Sequence, residues 1–133
     1  MYRNILVPIA YERGQDARAE LNAARQLAAP GAVITLLHVM DPVPFFAVDY
    51  MPEGYRDDLL QAIRDDLQRQ ADTLPNGEVA VIEGDAAREI KQWAGDNGVD
   101  CIVLATHRSD TSLYGSTAAR VVRYAPCAVH LLR

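Results

Sequence analysis

At 133 residues the chain suits one domain, residues 1–133; half of it is hydrophobic, which supports a packed core and excludes a wholly disordered chain. Thirteen Lys and Arg against 18 Asp and Glu leave a net charge of −5 without any basic run. That balance argues against a nucleic-acid binder or a binder of anionic membranes, because counterion release needs clustered positive charge. The apolar runs Ile5–Ile9 and Ala32–Leu37 are too short to span a bilayer, and the N-terminus shows no secretory pattern. Cys101 and Cys127 form neither a disulfide framework nor a CxxC pair, so the expected location is the cytoplasm.

In chain order, Asn4–Ala10 is a nearly continuous apolar run and predicts a buried strand of a parallel sheet. Polar Tyr11–Gln15 leads into a helix over Asp16–Ala28, where Ala17, Leu21, Ala24 and Ala28 repeat at helical spacing. Pro30-Gly31 stops that pattern, and Ala32–Met40 predicts the second strand, giving a right-handed βαβ crossover. Asp41–Gly54 holds Pro42, Pro44 and Pro52 with Phe45, Phe46 and Tyr50 between them. It reads as an ordered loop whose aromatic side chains pack against something.

Leu59, Ile63, Leu67 and Leu74 predict an amphipathic helix over Tyr55–Thr73, broken by Pro75-Asn76-Gly77. Glu78–Ile82 is a short third strand. Gly84-Asp85 reads as a turn and N-cap for a helix over Ala86–Asn97, with Gly98 as its C′ residue. Cys101–Thr106 is the fourth strand. Polar His107–Tyr114 then leads to Gly115-Ser116, where Ser116 caps a helix running to Tyr124, and Ala128–Leu132 is the fifth strand.

Five strands alternating with four helices predict a three-layer α/β/α sandwich with a five-stranded parallel sheet. If the order is 3-2-1-4-5, ligands belong beyond the carboxyl ends of the strands, where the order reverses between strands one and four. The segments at that end are Pro8–Gly14, Val39–Pro44, Gly84–Arg88 and Thr106–Thr117. A Gly-Ser at a helix start brings backbone close to a phosphate and offers a hydroxyl and first-turn N–H groups. His107 and Arg108 add positive donors there. The plainer reading is that Gly115 serves a turn and Ser116 merely caps.

The opening YRNILVPI, the LLHV ending strand two, the EGD turn and the closing GSTAARVVRYAPCAVHLLR resemble the universal stress protein family over nearly the whole chain. The THRSD stretch is similar to its F/G-type bacterial branch. This resemblance implies a Rossmann-like, adenine nucleotide alpha hydrolase-like fold that binds ATP or AMP in the strand-one/strand-four crevice, with Mg accompanying ATP. Nucleotide-binding members carry G-x-x-G, nine residues, then G-S/T. Here Ala105 stands at the first glycine, Arg108 at the second and Gly115-Ser116 at the last pair, with only Ser109–Tyr114 between. Val39 matches a position lining the adenosine pocket, and Ala10 replaces an Asp that contacts adenine.

The candidate nucleotide-contacting set is therefore Pro8, Ala10, Val39, Gly84, Ala105, Thr106, His107, Arg108, Gly115, Ser116 and Thr117. The resemblance also implies a homodimer paired through Ala128–Leu132, whose exposed apolar edge would otherwise be a liability, and signalling to protein partners. No catalytic or metal-ligating set emerges: Walker A, GxGxxG and GxSxG are absent. His38 and His130 read as strand residues with structural partners, and Asp57-Asp58 and Asp65-Asp66 as solvated helix charges. Three readings follow: a nucleotide-sensing stress module, a nucleotide-independent interaction protein favoured by Ala10 and the short loop, and a slow ATPase without an evident general base.

Overall fold

The computed structural model describes residues 1–11, 16–106 and 113–133, with only the backbone at 113–115. The first apolar run becomes β1 (Tyr2–Pro8), shifted two residues upstream of its predicted span. Asp100 explains the shift. Its carboxylate accepts from the Arg3 and Asn4 amides at 2.9 and 3.0 Å, and its own amide donates to the Asn4 carbonyl. These bonds bring Arg3 into the strand beside Asn4, next to β4 (Cys101–Ala105).

After α1 (Arg18–Leu27), β2 (Ala28–Met40) begins four residues earlier than the pattern predicts. Pro30-Gly31 ends no element here. Tyr2 pairs with Ala28 and Asn4 with Val33, so the two residues lie in a bulge, and Gly31 takes a left-handed φ of 80°.

The loop after β2 contains a 3₁₀ helix, Phe45–Tyr50. Its aromatic side chains are exposed, contrary to the expectation that they pack. Pro42 and Pro44 hold the backbone extended as it leaves the sheet, and the six-residue turn is too short to bring the rings back to the core.

α2 (Tyr55–Ala71) stops two residues short of the predicted Thr73, where the last amides switch to tighter turn bonds. β3 (Gly77–Glu83) follows at once; a Cβ at Gly77 would collide with the Ala71 carbonyl, so the sharp return needs glycine. α3 (Ala86–Asp96) is capped as predicted: the Asp85 carboxylate accepts from the Arg88 amide at 3.1 Å, and Gly98 has a φ of 65° past its end.

α4 (Leu113–Tyr124) begins three residues before Ser116. Ser116 is therefore a first-turn residue rather than the cap. A glycine inside a helix costs only about 1 kcal/mol relative to alanine, too little for Gly115 to set the boundary. β5 (Ala128–Leu132) occupies its predicted span.

The sheet is parallel throughout and ordered β3-β2-β1-β4-β5, so the order reverses at β1/β4 as expected. Alternation along β1 sends Ile5 and Val7 to a core shared with Leu21, Leu36 and Leu67 under α1 and α2. Leu6 joins Leu37, Ile90, Ile102, Leu104 and Val121 under α3 and α4. Among the described residues, no helix is long and apolar enough to cross a membrane, and no group of three or more His, Cys, Asp or Glu forms a candidate metal site.

Candidate functional site

A cleft of about 300 Å³ opens beyond the carboxyl ends of β1 and β2 and is walled by α3 and α4. Its lining unites four of the predicted residues: Pro8, Ala10, Val39 and Thr117. Ala86 and Ile90 of α3 add an apolar wall. Tyr11, His38 and Asp41 add polar side chains.

The polar character of the β2 end comes from its backbone. The Ile9 amide donates to the Leu37 carbonyl at 2.8 Å, and the Gly84 amide to the Met40 carbonyl at 3.0 Å. Odd residues of β2 thus turn their peptide groups toward β1 and even residues toward β3. The same alternation turns the Val39 amide and carbonyl toward β1, beyond the point where that strand has ended. A donor and an acceptor side by side match the amino-and-ring-nitrogen edge of an adenine.

Tyr11 and His38 form the other end of the cleft. His38 Nδ1 lies 2.7 Å from the Ile9 carbonyl, which can only accept, so Nδ1 carries the proton. Burial holds the imidazole below its ordinary pKa and keeps it neutral. The Tyr11 ring meets it edge-on with centroids 5.0 Å apart, and the Tyr11 hydroxyl donates to Asp66 of α2 at 2.6 Å. Burial and the Asp66 carboxylate push the phenol well above its usual range, while the Tyr11 hydrogen bond leads those that lower Asp66. Opposite, Asp85 forms a two-point ion pair with Arg120 at 3.2 and 2.9 Å, joining the start of α3 to α4.

A larger groove of about 520 Å³ lies on the far side of β1, between α1 and α2. Several of its polar groups bond within the protein: Asp66 to Tyr11, Arg69 and Gln70, and Arg25 to Asn22 and Thr73. Volume alone does not select it.

Of the other predicted residues, Gly84 gives its amide to Met40, and Ala105 is buried in β4. Thr106 commits amide and hydroxyl to the Leu132 carbonyl at 2.8 and 3.3 Å. None of these three lines the cleft. Ser116 is exposed on the first turn of α4, Gly115 is described by backbone alone, and His107 and Arg108 lie outside the described residues.

The universal stress protein family model matches residues 1–133. A universal stress protein of Methanothermobacter thermautotrophicus is 35% identical over 142 residues, covering 100% of this chain and 97% of that protein. The chain belongs to the universal stress protein family. Its fold is similar to the universal stress protein UspA of Lactobacillus plantarum (26% identity, TM-score 0.78, 99% and 98% of the two chains). It is also similar to an Arabidopsis thaliana universal stress protein family member with AMP bound (18% identity, TM-score 0.67, 97% and 90% covered).

Of the residues lining the cleft, motif positions account for Ala10 and Val39, and the strand-end segments for Pro8, Tyr11 and Thr117, but neither accounts for His38 or Ile90. Ile90 carries a helical signal, four residues after Ala86 on the same face of α3. His38 was read as structural, which its bond to Ile9 bears out; its place beside the cleft shows only once β1 and β2 are aligned.

Proposed function

We propose that this universal stress protein binds an adenine nucleotide, ATP or AMP, in the β1/β2/α3/α4 cleft and passes its occupancy to protein partners in the cytoplasm. The observation that carries the reading is the Val39 peptide edge at a cleft beyond the carboxyl ends of β1 and β2, one strand away from the β1/β4 crevice that the sequence pointed to. The AMP complex of the Arabidopsis member supports it. Adenine enters between Ile90 and the β1 end, and the ribose and phosphates extend toward Thr117 and the first turn of α4. There the helix N-terminus favours negative charge, with Mg accompanying ATP. The homodimer of this reading pairs through β5, which among the described residues has a strand on one side only and carries exposed Leu131.

Ala10 favours a second reading, a nucleotide-independent interaction protein, because its methyl group offers no acceptor to the adenine amino group. Calorimetry with ATP, AMP and GTP at near-millimolar protein separates the two. Heat with both adenine nucleotides and less with GTP is expected. Ala10→Asp should tighten ATP about fivefold, since one hydrogen bond contributes about 1 kcal/mol. Complete absence of heat and of chemical-shift changes would sink the nucleotide reading. Phosphate release by the wild type but not by Ser116→Ala would make the protein an ATPase instead of a carrier.

A further inference from the structure

The segment from Asp41 to Asp58 has no part in the core and little in the cleft, yet it concentrates two properties. It exposes Phe45, Phe46 and Tyr50 at 89%, 69% and 88% of their surface, with Phe45 and Phe46 in edge-to-face contact at 5.9 Å. It also holds five carboxylates against one guanidinium, a net −4 of the chain's −5. The guanidinium is committed: Arg56 reaches Glu83 at 2.8 Å and the Asp41 carbonyl at 3.1 Å. Beside the aromatics, a groove of about 270 Å³ runs between the 3₁₀ helix and the start of α2, lined by Val43, Val48, Met51 and Tyr55 and edged by Glu53, Asp57 and the Glu83-paired Arg56.

We infer that this surface docks a cationic segment of a partner protein, one carrying an aromatic or aliphatic anchor flanked by Lys or Arg. Large apolar side chains exposed together mark an interaction surface, and the segment's excess of exposed carboxylates, two of them at the groove, selects its partner. An anionic membrane or a nucleic acid meets repulsion at Asp49, Glu53, Asp57 and Asp58. A second copy applied through the same patch would set −4 against −4. A basic segment neutralises the rim while its anchor fills the groove between Val48 and Tyr55. The surface lies at the end of β2.

Selection of a phage-displayed random 12-residue library on the full chain, without nucleotide, tests the inference. Enriched sequences should be net positive and contain an aromatic or large aliphatic residue. Synthesised peptides should lose about tenfold or more in affinity on Phe45→Ser/Phe46→Ser, and again on Asp57→Lys/Asp58→Lys, with unchanged circular dichroism. Raising salt from about 50 to about 300 mM should also weaken them severalfold. Neutral or acidic winners, or binding that survives both double substitutions, would overturn it. So would vesicles of anionic lipid binding the wild-type chain through Phe45 and Phe46, or self-association that Phe45→Ser/Phe46→Ser abolishes.

Discussion

β4 and β5 are neighbours of equal length, CIVLA and AVHLL, and both read as apolar strands, yet they live in different environments. Every residue of β4 is buried, whereas Ala128, His130 and Leu131 of β5 are exposed. Residue for residue they pair, Cys101 with Ala128 through Ala105 with Leu132. Position in the sheet accounts for the difference. β4 has β1 on one side and β5 on the other, and helices cover both of its faces; among the described residues β5 has a partner on one side only. An apolar run therefore announces a strand, while its neighbours decide how much of it is hidden.

The sharpest test compares one truncation in each strand. Ile102 is 0% exposed in the middle of the sheet, so Ile102→Ala should cost about 2–5 kcal/mol through lost burial and the cavity left behind. Urea unfolding should show a lower midpoint with an unchanged slope. Leu131, at 40% exposure, should lose no more than about 1 kcal/mol on truncation to alanine in the dilute protein. Equal losses at both sites would mean that β5 is not an edge in solution.

The pairing proposed for β5 gives a second, smaller effect. Leu131→Lys places a charge on the exposed edge, where it discourages strand addition without entering the core. Sedimentation should then give a monomer at concentrations where the wild type is a dimer, with the same circular dichroism. A dimer that survives Leu131→Lys would move the interface elsewhere, with the exposed Val122 and Tyr124 of α4 as the next surface to probe.

The same distinction explains what the residue pattern revealed and what it hid. The strands themselves, the Asp85 cap and Gly98 were legible because periodicity and local capping chemistry decide them, whereas the strand order came with the family resemblance. The start of β1 was not, because it depends on Asp100, more than ninety residues away. The start of α4 was misread because a Gly-Ser pair is a weak boundary. In the cleft, Val39 was legible from a motif, but the direction of its peptide group follows from how β2 pairs with β1 and β3. The side chain of Tyr11 points where Asp66 holds it, and no local pattern links residues fifty-five positions apart. Long-range polar contacts thus carry most of what periodicity leaves unread.

The two thiols provide the finest version of the strand comparison, because each stands beside the start of one strand. Cys101 opens β4 at 1% exposure, and burial, with lesser help from Cys127 and Asp100, pushes its pKa to about 11. Cys127 precedes β5, is half-buried, and is raised by burial first and Asp100 second. At pH 8 roughly a thousandth of Cys101 is thiolate, and that fraction is out of reach of reagent. A disulfide reagent should therefore label one thiol per native chain, lost in Cys127→Ser and retained in Cys101→Ser, with the second appearing only as urea unfolds the sheet. Raising protein concentration should slow Cys127 if a partner strand covers the start of β5. It should leave Cys101 unchanged, since opening of the β4 core, rather than access at an edge, limits its reaction.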